Sequence, residues 1–401
     1  MKKPELLAPA GDLEKLKIAI LYGADAVFIG GKEFSLRARA SNFDLPDIKE
    51  AVNFAKSHNA KVYVTTNIFA HNENLAKLEE YLLALQECGV SAIICSDPYV
   101  IKTAKKTTPN MEIHLSTQQS TTNSLAINFW YDVGVKRVVL ARELSVAEIK
   151  EIKRKVKADI EVFIHGGMCV SYSGRCTLSN NMTDRDANRG GCAHSCRWNY
   201  RLYNNNDELI SHKDGYFNLS SKDLMAIPFI PQLIDANVDS LKIEGRMKSI
   251  HYIATVVGTY RKIIDDYCRN PQEFVLDDNY YQEISKAENR QASIGALGGK
   301  PTYNEQLYNV RTEQPTQEFI AIVLDYNKKT QLATIEQRNH FTSGEDVEVY
   351  GPGFRKAYFK IDKIFNREGE EVNVANHPRE ILKIKVPFVV YPYDIIRKVR
   401  I

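Results

Sequence analysis

No apolar run in this 401-residue chain approaches the roughly 20 residues that a membrane-spanning helix needs. The opening stretch MKKPELLAPAGDLEKL has two lysines but no apolar centre, because Pro9, Gly11 and Asp12 interrupt the only candidate. No secretory leader is expected there. An excess of one charge sign is also missing. Lys and Arg number 53 against 50 Asp and Glu, and the resulting +3 permits a local basic patch without demanding a nucleic-acid partner. Repeats at solenoid periods and low-complexity tracts are absent, which excludes repeat arrays and disordered scaffolds. No Gly-x-Gly-x-x-Gly turn follows the first predicted strand, which disfavours an open dinucleotide-binding sheet. His-Glu-x-x-His and Gly-x-Ser-x-Gly are missing too, so zinc-protease and serine-hydrolase sites have no anchor. No flavin, nicotinamide or two-histidine–one-carboxylate iron pattern is present either. These absences predict a cytoplasmic globular protein, with no membrane partner, whose thiols stay reduced.

What is present has a regular order. Over the first 245 residues, β-rich runs alternate with amphipathic helical segments; the runs lie at 5–11, 24–31, 61–67, 91–97, 112–118, 137–143, 161–167 and 240–246. Near-continuous apolar strands separated by helices mean a parallel sheet buried on both faces. Eight of them is the number that closes a TIM-like (β/α)8 barrel, so the fold class is α/β, with the barrel over 1–269. The connection after strand 7 is far too long for an ordinary loop and helix, and marks a cysteine-rich insertion at about 167–215. Within it, WNYRLYNNNDELIS reads as a hairpin turning at the asparagines. Residues 270–317 are polar and aperiodic, as in a linker or wrapping segment. From 318 to 401, short alternating strands predict a small C-terminal antiparallel β-barrel or sandwich domain.

Cysteine is scarce but not scattered. Of seven, four stand at 169, 176, 192 and 196, separated by six, fifteen and three residues. Four thiolates can close a tetrahedral zinc site or hold a [4Fe–4S] cluster. Structural zinc favours two-residue knuckles, which neither pair has, so the spacing favours the larger cluster over zinc or unligated thiols. Cys88, Cys95 and Cys268 sit in helical or strand patterns and read as small buried hydrophobes.

The stretch EVFIHGGMCVSYSGRCTLS (161–179) resembles the signature of the U32 "peptidase" family: Glu-x-Phe-x2-Gly, a small residue, an aliphatic, then Cys-x4-Gly-x-Cys. Gly167 stands where that family usually carries Ala or Ser. ELLAPAGDLEKLKIAILYGADAVFIGG, LSTQ, NRGGC and LKIEGRMKS also look like family blocks, so the resemblance covers essentially the whole chain. CRWNY, SSKDL and the short C-terminal domain resemble the branch that hydroxylates tRNA uridine. The resemblance implies a [4Fe–4S] cluster on Cys169, Cys176, Cys192 and Cys196. It also implies prephenate as co-substrate in the O₂-independent formation of 5-hydroxyuridine at the wobble position, with the tRNA anticodon loop as partner. Related members work as pairs of homologues, so a homologous U32 subunit is a further possible partner.

In a (β/α)8 barrel, chemistry sits at the C-terminal ends of the strands. Those ends and their loops carry Arg37, Arg39, Asn67, Gln118, Arg142 and Arg246, a convergence that suits an anionic substrate because guanidinium forks match carboxylates. His165, Glu244 and Lys242 are the candidates for proton transfer, though such charges also pair with one another for stability. Arg175, Arg185, Arg189 and Arg197 cluster in the insertion with Trp198, where basic groups would hold phosphates and an aromatic face would stack a base. A charged, solvated loop would look the same. Two rival functions remain at this level: a peptidase, as the family label says, and a non-catalytic iron–sulfur subunit that completes a homologous hydroxylase.

Overall fold

The structure is a computed structural model, and it describes residues 2–35, 42–213, 215–287, 290–307 and 319–399. Seven parallel strands follow one another: β1 (Glu5–Pro9), β2 (Ala26–Gly30), β3 (Lys61–Thr66), β4 (Ala92–Cys95), β5 (Glu112–Leu115), β6 (Arg137–Val139) and β7 (Asp159–Gly166). After the short β8 (Asp223–Met225) comes β9 (Ser240–Ile243), which pairs in parallel with both β7 and β1 and closes the barrel. This is the closed eight-stranded barrel expected from the sequence. Helix α1 (Leu13–Leu21) begins where Asp12 accepts from the Lys15 amide at 2.9 Å, and it ends before Gly23 at φ +111°. A Cβ on Gly23 would also lie 2.4 Å from the Arg261 side chain, so the residue must be glycine twice over.

Two small elements were not expected. β8 pairs antiparallel with the end of β7, at His165 and Gly166. β10 (Ala292–Ser293), from the segment read as a linker, pairs with β8. The same segment contains an α-helix (Asp278–Ser285).

The long helix at Ile250–Arg269 follows β9, and nearly every residue from Ile250 to Tyr260 is buried. Apolar periodicity predicts one covered face, but here the helix is covered on both. One side lies on the barrel; on the other, a Cβ at Gly258 would lie 2.2 Å from the Tyr350 hydroxyl, and Thr255 Oγ1 accepts from Arg397 at 3.2 Å. Those partners belong to the C-terminal domain, an eight-stranded sheet with antiparallel pairing throughout and a two-stranded companion, built around Ile320, Val347, Phe341 and Ile384. Tyr22 ties the domains again, donating to the carbonyls of Tyr350 (2.8 Å) and Tyr393 (3.0 Å).

Candidate active site at the barrel mouth

The barrel interior is not filled by branched apolar residues alone. Leu7, Ala26, Phe28, Tyr63, Ala92 and Ile94 form a small apolar cluster of their own. Below and beside it runs a buried ion network. Glu161 of β7 accepts from Lys242 of β9 at 2.8 Å and from Arg137 of β6 at 3.2 Å. Arg137 also reaches Glu5 at 2.6 Å, and Glu5 accepts from Tyr63 at 2.6 Å. Burial disfavours a charged Glu161, but Lys242 and Arg137 outweigh it and hold the carboxyl at about 2. Lys242 is therefore an ion-pair partner inside the barrel, its ammonium 4.6 Å from the Phe28 ring centroid and 5.3 Å from that of Phe163.

At the mouth, Arg246 leaves the end of β9 and lies buried across the ends of β2 and β3. It donates to Asn42 (2.6 Å), Ser35 (3.2 Å) and Thr65 (3.5 Å). Gly30 makes this possible, because a Cβ there would sit 2.2 Å from the Arg246 guanidinium. Beyond the ends of β3 and β5, the Gln118 side-chain carbonyl accepts from Asn67 at 2.7 Å and from Ser116 at 3.0 Å. The Gln118 Nε2 is buried with no hydrogen-bond partner among the described residues, so a donor is held in place for an acceptor. Arg142 stacks 4.8 Å from the Phe163 ring centroid and donates to the Gly167 carbonyl at 2.7 Å. Arg37 and Arg39 lie outside the described residues.

His165 is placed elsewhere. A register shift between Phe163 and His165 sets the ring on the outer side of the strand, beside Tyr252 and Tyr260, with Nδ1 3.3 Å from the Tyr260 hydroxyl. Burial, with a smaller contribution from Lys248, lowers its pKa to about 3, so the imidazole is neutral near pH 7. Glu244 is half-buried after β9; its amide donates to the His165 carbonyl at 2.8 Å, and its carbonyl accepts from Tyr252 at 2.9 Å.

The cysteine insertion sits on this mouth. Ser173 donates to Glu143 from its amide (3.0 Å) and its hydroxyl (2.9 Å), and its carbonyl accepts from Ser120. Gly174, at φ +71°, packs so closely on Gln118 that a Cβ would lie 2.2 Å from the Gln118 carbonyl oxygen. Arg175 donates to Ser120 at 3.3 Å. Arg189 is spent on docking: it reaches His71 (2.8 Å), Glu73 (2.8 Å) and Asn74 (3.0 Å) at the short helix (Asn72–Leu75) after β3. Arg185 has a buried Nε with no partner among the described residues, Arg197 lies 3.3 Å from His194 Nδ1, and Trp198 is exposed.

Burial raises the Cys196 thiol; Arg197 lowers it, and Cys169, Cys192 and Cys176 each push it up again. The four thiols are thus within electrostatic reach of one another. Among the described residues, no three His, Cys, Asp or Glu side chains already stand in coordinating geometry. By chemistry the donor set suits a four-thiolate centre, and binding a cation would relieve the mutual repulsion of the thiolates.

Some neighbours of the site escaped the sequence. Arg290 pairs with Asp223 at 3.1 Å, and Lys248 approaches the same carboxylate at 4.0 Å. A Cβ on Gly167 would meet Arg197, Asp223 and Arg290 at 3.6–3.9 Å, which is ordinary contact. An alanine fits there, so the glycine is not a steric requirement. Arg290 had no signal, since it lies in a polar, aperiodic segment; Lys248 lay in LKIEGRMKS without a cue to its direction.

Residues 11–307 match the family model of peptidase family U32, and residues 315–397 match that of the family's C-terminal domain. The chain is 52% identical to tRNA hydroxylation protein P1 of Bacillus subtilis (strain 168), with 99% of this chain and 95% of the relative covered. It is 32% identical to tRNA hydroxylation protein P of Haemophilus influenzae, with 96% and 94% covered. Identity to tRNA hydroxylation protein P of Helicobacter pylori (strain J99) is 41%, over 75% of this chain and 73% of that one. With matches spanning both domains, this chain belongs to peptidase family U32.

Proposed function

We propose that this chain is a tRNA hydroxylase that forms 5-hydroxyuridine at the wobble position of the anticodon. The route would depend on prephenate rather than O₂, with an iron–sulfur centre on Cys169, Cys176, Cys192 and Cys196. The observation that carries the reading is the docking of the four-cysteine insertion onto the barrel mouth through Ser173–Glu143 and Arg142–Gly167. The relatives named for tRNA hydroxylation align along almost the whole chain, which supports the same class of substrate and reaction.

The division of labour follows from the geometry. A [4Fe–4S] centre would supply one-electron chemistry beside the mouth, whereas zinc on the same thiols would be redox-silent. Arg142 and Arg246 are guanidinium groups held in place by hydrogen bonds near the mouth, a chemistry suited to carboxylates. The Gln118 Nε2 offers an oriented donor at the same end of the barrel. The insertion packs on Gln118 through Gly174. Lys242 acts from below, keeping Glu161 ionised. An anticodon loop is already unpaired, so bringing its base to this mouth costs little.

A peptidase reading finds no support in four of the seven thiols. Burial raises the thiols of Cys88, Cys95, Cys196 and Cys268, the reverse of activation. The deciding experiment is nucleoside mass spectrometry of tRNA from a deletion strain grown without oxygen and carrying no second homologue. Loss of wobble 5-hydroxyuridine and its derivatives, restored by the wild-type chain, is expected. Undiminished hydroxyuridine would refute the proposal.

A further inference from the structure

Beyond Trp198, the one aromatic of the insertion given a role above, the insertion extends a hairpin as far as Leu219. Its arms pair at Tyr200 with Phe217 and at Tyr203 with Leu209, and Asn204 organises the turn, its side-chain carbonyl accepting from the amides of Asn206 (2.9 Å) and Glu208 (3.0 Å). A hairpin serving only as a connection would fold its large side chains inward. Here Tyr203 is 54% exposed, Tyr216 45% and Trp198 42%. Arg201 lies over Tyr216, its guanidinium carbon 4.5 Å from the ring centroid, with Nη2 donating to the hydroxyl at 2.9 Å. The root is fixed to the cysteine turn: Tyr200 donates to the Ser195 carbonyl at 2.7 Å, and the Leu219 amide donates to the Cys196 carbonyl at 2.8 Å.

We propose that this hairpin is a base-stacking platform for an unpaired RNA loop, with Tyr203 and the Arg201–Tyr216 pair as its stacking faces; the inference rests on the RNA substrate proposed above. Exposed aromatic rings and guanidinium planes stack any base, because every base has a π face. An arginine held over tyrosine by a hydrogen bond to its hydroxyl is ordered in advance, so it meets a base at little further entropic cost. Asp207 and Glu208 stand at the turn, so phosphates are turned away from the tip and recognition is through bases. Because the root is bonded to the Ser195–Cys196 backbone, a loop stacked on the hairpin is also positioned relative to the cysteine centre.

The test uses the full chain and two probes: a labelled RNA stem–loop with a seven-nucleotide uridine-rich loop, and a fully paired RNA of equal length. Tyr203→Ala, and separately the Arg201→Ala/Tyr216→Ala pair, should weaken stem–loop binding roughly five- to a hundredfold, the range for losing one stacked base. Duplex binding, iron content and the slope of log Kd against log salt should stay as in the wild type, because no phosphate contact is removed. Tyr203→Phe should bind like the wild type, since the ring is kept. Stem–loop affinity within twofold of wild type in both alanine variants would overturn the proposal. So would equal losses on loop and duplex, or a Tyr203-dependent dimer of this chain with RNA binding unchanged. The parent reading fails separately, on the hydroxyuridine of the deletion strain: a strain that loses hydroxyuridine while both variants bind normally would sink the hairpin alone.

Discussion

Arg397 is fully buried where the C-terminal domain meets the barrel, and replacing it with methionine isolates the cost of a stranded charge. Its guanidinium bonds to Glu283, to Glu348 at 2.6 Å and to Thr255 at 3.2 Å, and lies 4.6 Å from the Tyr350 ring centroid. Both glutamates are also buried, with Lys286 3.1 Å from Glu348 and Lys356 beside Glu283. Removing one partner of a buried pair costs about 3–5 kcal/mol, because the remaining charge keeps its desolvation penalty and loses its compensation. Against a usual total stability of about 5–15 kcal/mol, that is a large share, and spread over the unfolding entropy of so long a chain it should lower Tm by roughly 4–6 °C. The loss should be recovered in large part by Arg397→Met combined with Glu283→Gln and Glu348→Gln, since the lysines are partly exposed and can turn to water. The pH dependence follows from the same charges. In the wild type, burial acts to raise Glu348, but Arg397 outweighs it and brings the carboxyl to about 2; Glu283 is lowered likewise. Their stabilisation is complete above about pH 4.5 and is lost as pH falls towards 2. In Arg397→Met the carboxyls protonate more easily, so the deficit should shrink between pH 7 and pH 5. Thermal melts at both pH values, with limited proteolysis to detect separation of residues 319–399, measure this. A triple variant no more stable than the single one would refute the stranded-charge argument.

Three further outcomes are expected. Serine at Cys169, Cys176, Cys192 or Cys196 should empty the metal centre of anoxically purified protein, while serine at Cys88, Cys95 or Cys268 should leave about four irons per chain; stoichiometric zinc in iron-replete protein would contradict the assignment. Nitrogen NMR of the His165 ring should show no titration between pH 5 and 8, and because the folded pKa is lowered to about 3, its contribution to stability should decline as pH falls below about 6.5. Glu143→Ala should remove both Ser173 bonds and speed amide exchange across residues 169–176 without unfolding the barrel, as hydrogen exchange would reveal.

The barrel strands were legible because each lies in an apolar run that alternates with helical segments, bounded by helix caps such as Asp12. β8 and β10 were not, since two or three residues have no period to read. The fate of Lys242 was half legible. Its position on a strand was clear, but the pairing with Glu161 depends on β7 and β9 meeting to close the barrel, a contact between residues 81 apart. His165 shows a different limit: counting alternation from Phe163 puts it inside, and a single register shift puts it outside. The cysteine set was readable from spacing alone, whereas the docking contacts through Glu143, Ser173 and Gly174 join segments about thirty to sixty residues apart with no motif between them.

The helix at Ile250–Arg269 has no side left for water along its first three turns. Thr255, Gly258 and Thr259 follow one another at helical spacing, and the first two meet the C-terminal domain directly. The domain is therefore written into the barrel as a requirement for small side chains on one helical stripe. A homologous barrel without such a domain is released from that requirement and is free to carry lysine or glutamate there. Conversely, cutting this chain after residue 307 would uncover a stripe whose composition was set for contact, together with Tyr22, whose hydroxyl would lose both of its acceptors.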